Sequence, residues 1–527
     1  VKAEDNRWNS NQAYYHAENA LDWAGQLIAD ANAGGPNAAF LGRFSVSGEN
    51  QGSVSVPYLQ ILATNAASGF KNAWVTITNH PSGIANLYLV TASAQVMGKV
   101  RTIQASIVKN PPSLVFDYEY FLNNWGWWWG SSITGDGDNR ANWDFDFRDS
   151  PTVNGSVLAN GHIASNEVPV DPLSRTTPFA GTAASDPLDH VHSGAPRLAM
   201  PNLLDFSYYK AKAVSQGGKL YLGSSLIVNA VQTNATQTGL YLKGTSSNPI
   251  KIQGPVVVPG DVIIGGPITG QGTLYVGGNL YVAGDVTYAN GPDFSSPPMT
   301  MTQSQTDQWV QNAASGNKDL VAFGVRGSVF GGDVGGSDFQ TWCYYASGWG
   351  LVNLGDESNL GQDGIRGTPD DGISYPHYIG TNYVNNASYD ADNSGVIDHS
   401  YNLTTDILMT SSRAAGILNY PTDSSGPVGY STIATSSYNR MDGIYYCNHA
   451  AACRMAKNSQ AVWNGAVICR DEAIVFNSSL KFNYDPRIHS RYSTDPNRVI
   501  DLGLPVANLV RIQQIDEIAP IAGFYPN

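Results

Sequence analysis

The chain has 527 residues, enough for more than one packing unit, with 42% hydrophobic but only 14% charged residues and 55 glycines. That profile speaks against a cytosolic α/β enzyme and for a β-rich secreted or surface protein. A formal net charge of −14 without any basic run removes nucleic acid from the expected partners.

Residues 1–35 form the first predicted unit, a helix. Trp8, Tyr14 or Tyr15, Leu21 and Leu27–Ile28 recur at three- and four-residue steps, Ala13, Ala17, Ala20 and Ala24 add helix propensity, and Gly34-Gly35-Pro36 stops it. Residues 36–112 alternate as strands, for example over Trp74–Thr78, and predict a small sheet packed on that helix. Pro111-Pro112 marks a boundary.

Residues 113–334 are expected to form a β-helix (solenoid) with loop insertions. Its clearest part is a run of seven hexads from Ile250 to Gly291. Ile250, Val256, Val262, Ile268, Leu274, Leu280 and Val286 lie six apart, and Ile252, Val258, Ile264, Val276 and Val282 follow two residues later. Gly254, Gly260, Gly266, Gly272, Gly278 and Gly284 are in phase with them. Period six with alternation inside it suits neither a helix nor a flat sheet. It suits short strands turned at glycine corners, three hexads making a coil of roughly 18 residues. A weaker set of units falls in 113–170, where Gly155 and Gly161, and Val157 and Ile163, are six apart. One stack is expected over roughly 113–291, with 171–200 and 230–248 as loops, and a short helix over Thr302–Ala314. Residues 335–440 read as a polar insertion, and 441–527 as further coils and a closing segment with a strand at Ala507–Ile512. The fold class is therefore mainly β.

Part of this wording resembles known families. Asn11-Gln12-Ala13-Tyr14-Tyr15-His16-Ala17-Glu18-Asn19-Ala20-Leu21 resembles the first helix of type IV pilin-like proteins, in particular a large pilus-assembly group. Leu87–Ala94 followed by Val100–Ala105 resembles the paired strands after that helix, and Gly443–Asn448, Asn464–Ile468 and Tyr484–Arg487 resemble later segments of the same group. The hexads resemble bactofilins, polymer-forming β-helical proteins. The pilin resemblance implies an apolar half-helix ahead of the polar half, cut by a prepilin peptidase. Such a segment is absent from this sequence, which is expected to start after any processing, so membrane contact is expected only through it. No stretch here approaches the length of a membrane span.

Candidate sites are few. Asp390, Asp392, Ser394, Val396 and Asp398 occupy the first nine positions of an EF-hand-type calcium loop, with Gly395 at the sharp turn. Tyr401 stands where the twelfth-position acid belongs, so an isolated Asp loop binding Ca²⁺ is expected, the alternative being a solvated turn. The runs Asp356–Asp371 and Gly135-Asp136-Gly137-Asp138-Asn139 are weaker candidates of the same kind. Cys343, Cys447, Cys453 and Cys469 lack zinc spacing and predict one or two disulfides, Cys447–Cys453 being the favoured local bridge, against free buried thiols. Trp125, Trp127, Trp128 and Trp129 predict packing or a subunit contact, with sugar stacking as the alternative. His190 and His192 beside Asp186 and Asp189 lack a nucleophile, and no nucleophile elbow, phosphate loop or His-Glu-x-x-His occurs. The expectation is a non-enzymatic structural subunit of an extracellular pilin-like filament or cell-surface appendage, partnered by itself or by other pilin-like subunits. The alternatives are a pilus-tip adhesin that contacts a surface glycan and, behind it, a β-helical polysaccharide-degrading enzyme.

Overall fold

The structure is a computed structural model. It describes residues 2–30, 54–57, 70–82, 87–109, 113–123, 126–166, 168–170, 176–201, 203, 206–344, 388–389, 399–400, 407–435, 438–455, 459–470, 473–476, 479–492, 502–506 and 510–519. The fold is mainly β with one long N-terminal helix, and it divides into two compact units, Val1–Pro111 with Val506–Asn527, and Pro112–Pro505.

The first unit is a helix on an antiparallel sheet. The helix, Lys2–Asp30, buries Ala13, Ala17, Ala20, Leu21, Ala24 and Ile28 along one stripe. The small alanines let the helix backbone approach Val75, Ile77, Val90, Ala92, Ile103, Ala105 and Ile107 of the sheet. Trp8 and Tyr15, which carry the sequence periodicity, are exposed instead. The sheet runs Val54–Pro57, Phe70–Asn79, Leu87–Val96, Lys99–Lys109 and Val510–Ile518, each antiparallel to the next. Met97 and Gly98 make the two-residue turn between the third and fourth strands, with φ of 48° and 78°. The last strand is a correction: Val510–Ile518 of the closing segment joins this sheet, whereas Leu502 and Leu504 of that segment pack in the second unit.

In the second unit, strand Ile250–Val258 lies parallel to Val262–Val276 with Ile250 opposite Ile268 and Val256 opposite Leu274, eighteen residues further on. All seven hexad aliphatics from Ile250 to Val286 are fully buried. At one corner Gly266 has φ +94°, and a Cβ there would lie 2.2 Å from the Gly244 carbonyl oxygen.

The strands stack in an order that differs from the chain order. One column of inward-facing positions reads Val256, Leu274, Phe323, Tyr445, Val467, Tyr120, Asn139, Val157, Val191, each in parallel register with the next. The chain therefore enters the stack in its middle at Tyr120 and runs out to Val191. It returns at the opposite end, where Lys219–Leu222 pairs antiparallel with Ile250–Gln253. The expected order, with 113–170 ahead of 219–291 in one continuous run, is corrected accordingly: the early strands lie beyond residues 461–484.

Neighbouring strands near the middle of the stack are 22 residues apart, as Tyr445 and Val467 are, which encloses a wider interior than a step of 18. Aromatic rings fill it. Phe323 stacks on Tyr445 at 4.8 Å, Trp463 on Phe482 at 5.8 Å, and Phe482 on Trp128 at 5.6 Å. Outside the walls, helix Gln303–Ser315 has its Thr302 N–H bonded to Gln305 Oε1 at 3.0 Å. Of the long insertion, residues 407–435 set Ile407, Ile417, Tyr420 and Tyr430 against Ile263, Tyr281 and Phe330.

Candidate functional site: the tryptophan strand and the acidic seam

Strand Gly126–Trp129 obeys the two-residue alternation of a β-strand, and that divides its tryptophans. Trp128 points inward, 3% exposed, between Phe482 and Phe147. Trp127 and Trp129 point outward with ring centroids 6.4 Å apart, and Trp129 is 52% exposed. Its indole N–H donates to Asp149 Oδ2 at 2.6 Å, and the Arg148 guanidinium sits 5.4 Å from its ring. Trp125 lies outside the described residues. The three described tryptophans thus divide: Trp128 is core, and Trp127 and Trp129 with Arg148 and Asp149 form a surface platform.

Where residues 480–484 meet residues 119–139, acidic and amide side chains line the corner. Asn464 Nδ2 donates to Asp442 Oδ1 and Asn483 Nδ2 donates to Asn464 Oδ1, both at 2.7 Å. On the far side Asn154 Nδ2 donates to Asp136 Oδ1 at 2.7 Å. Between these two runs the ladder breaks. Asn483 Oδ1 and Asp136 Oδ2 are buried acceptors without a hydrogen bond, and Lys481 Nζ stands 4.0 Å from Asp136 Oδ2. Glu119 is fully buried beside them. Its Oε2 accepts the backbone N–H groups of Asp136, at 2.9 Å, and Gly137, while Oε1 has no partner. Burial pushes the Glu119 carboxyl well above its ordinary range, against the pull of those two donors, and burial also raises Asp136 and Asp138.

Among the described residues no three His, Cys, Asp or Glu side chains converge to hold a metal ion; in the Gly135–Asn139 run, a weaker metal candidate, Asp136 Oδ1 accepts from Asn154 Nδ2 and Asp138 Oδ1 from the Ser156 N–H. The calcium loop residues Asp390, Asp392, Ser394, Val396 and Asp398 lie outside the described residues, as does the run 356–371. The flanking pairs Ser388–Tyr389 and His399–Ser400 are antiparallel partners.

All four cysteines are buried and unbridged. The favoured Cys447–Cys453 bridge is corrected: Cys447 ends the strand Arg440–Cys447 while Cys453 sits in Ala451–Arg454, so the two reach the core from different walls. The in-register neighbour of Cys447 is Cys469.

His192 Nε2 lies 3.1 Å from the Asp189 carbonyl and His190 Nδ1 3.4 Å from Ser156 Oγ, contacts that orient the loop.

Two features escaped the sequence reading. Glu119 carried no motif, since nothing in Tyr118-Glu119-Tyr120 announces a buried acid. Asp485 and Arg487 form a fully buried ion pair at 2.6 Å, and the Arg487 guanidinium also donates to the carbonyls of Asp319, at 2.7 Å, and Lys318, at 3.0 Å. The Tyr484–Arg487 spacing marked the segment but not this clamp.

No family model matches the chain, and no curated protein matches it. Among solved structures the chain is similar to the competence-associated pilin ComZ from Thermus thermophilus. The identity is 10%, the alignment covers 97% of each chain, and the TM-score is 0.29, a value too low to carry an argument about either fold or role. Among the described residues no helix is long and apolar enough to cross a membrane.

Proposed function

We propose that this chain is a structural subunit of an extracellular pilin-like filament or cell-surface appendage, with its parallel stack, read as a β-helix, serving as a rigid spacer. The observation that carries this reading is the unbroken column from Val256 to Val191, nine strands deep and filled by side chains along its length. A filled, in-register stack resists bending because each strand inside the column is hydrogen-bonded on both sides and the interior is packed with side chains. The alanine-rich helix on an antiparallel sheet supplies a separate module for assembly, in line with the pilin-like wording of Asn11–Leu21. Partners on this reading are further copies of the chain or other pilin-like subunits, and Ca²⁺ is the proposed ligand of Asp390, Asp392, Ser394, Val396 and Asp398.

Self-association tests it. Sedimentation of the full-length protein over a rising concentration series, with calcium present, is expected to show growth beyond the monomer. A monomer at every concentration counts against the reading. A second reading, a tip adhesin, is favoured by the exposed Trp127–Trp129 platform with its flanking Arg148 and Asp149. Glycan-array binding that is lost in Trp129→Ala would support it over the repeating-subunit reading.

A further inference from the structure

We propose that Cys447 and Cys469 are joined by a disulfide in the native protein, a covalent staple between two adjacent strands of the stack, with Cys343 and Cys453 left as thiols. The proposal rests on the surface location in the reading above, because the bond needs an oxidising compartment.

The geometry singles out this pair. Arg440–Cys447 and Ala461–Cys469 are parallel, and their last residues stand opposite each other. In the same column Cys447 follows Val325 and Cys469 precedes Leu122, so both side chains face the same interior, 1% and 0% exposed. Neighbouring strands lie about 4.8 Å apart, and disulfides span Cα separations of about 4.4–6.8 Å. In-register neighbours therefore need only a small closing movement. No other pair meets these conditions. Cys453 has Gly331 and Val475 as its register neighbours. Cys343 packs in the cluster outside the wall while Cys453 packs in the one inside it.

Burial pushes the Cys447 thiol well up, so little thiolate forms once the coil has closed. The bond therefore forms while the coil is still open. The thiolate of one cysteine displaces the leaving thiolate of a mixed disulfide that the other has made with an exported thiol–disulfide oxidant. Two thiol protons are released, and the two electrons leave with the reduced oxidant.

Counting thiols decides the matter. The full-length chain, produced with export into an oxidising compartment, is unfolded in denaturant and treated with N-ethylmaleimide before and after reduction. The proposal expects two adducts without reductant, four with it, and a peptide map linking the Cys447 and Cys469 peptides. Cys447→Ser is expected to give three adducts with or without reductant, and a Cys343→Ala/Cys453→Ala double variant to keep the link. Four adducts without reductant, or a link through Cys343 or Cys453, overturns the proposal. Either result leaves the filament reading untouched, since assembly is read separately by sedimentation.

Discussion

Trp128 and Trp129 are adjacent in sequence and opposite in physical role, because a strand sends successive side chains to opposite faces. Truncating Trp128 empties space between Phe482 and Phe147, so Trp128→Ala is expected to lower stability by about 3–5 kcal/mol. Trp129→Ala removes an exposed ring and is expected to stay within about 0.5 kcal/mol. Denaturant unfolding of the two variants separates them, and equal losses would mean that the alternation is wrong. Glu119 gives a pH signature. Its folded-state proton affinity is raised by burial, so the folded protein holds this proton more tightly than the unfolded chain. Stability from this group is complete below the ordinary Glu range and falls as pH rises through that range toward the raised value. Glu119→Gln keeps an acceptor for the Asp136 and Gly137 N–H groups without the charge. It is expected to be more stable than the parent at pH 7 and to have a flatter pH dependence, as read from thermal melts between pH 4 and 8. A parent whose stability rises over that range relative to the variant would contradict the assignment.

At the scale of elements, the hexads show why some structure is legible in a sequence and some is not. Ile250 and Ile268 announce their pairing because the repeat that buries them is written in the chain at constant spacing, whereas past Ile264 the register to the next strand shifts and Ile268 faces Tyr288, not the hexad position Val286. Ile268→Ala, at a fully buried position in this repeat, is expected to cost about 2–5 kcal/mol, measured by denaturant unfolding. The N-terminal helix is legible for its alanines, which are buried, and misleading for Trp8, which is not. The closing strand, expected at Ala507–Ile512, lies at Val510–Ile518, and its partner Lys99–Lys109 lies far away in the chain, where no local pattern names it. Glu119 and the Asp442–Asn464–Asn483 ladder were hidden for the same reason. Each is a single polar residue per coil, and its meaning comes only from the coil above or below. Cys447 shows the opposite error: nearness in sequence suggested Cys453, whereas the register supplies Cys469.

For the whole molecule, the consequence is that along the Val256-to-Val191 column chain order and stack order diverge at the seam between Val467 and Tyr120. Residues 113–193 cover a strand edge that the late coils would otherwise leave open, and open parallel edges recruit other strands. Tyr120→Asp places a charge at a buried seam position and is expected to free residues 113–193 for limited proteolysis ahead of residues 250–286. Simultaneous digestion of both would mean that the seam is not a separable joint. The architectural role proposed above is best tested in place. Cryo-electron microscopy of the native surface appendage, with this chain carrying an epitope label, is the most direct measurement. The account expects label at regular intervals along a filament, with density at each position for a rod of stacked coils. Label confined to dispersed single particles, with filaments intact in cells lacking the chain, would contradict it.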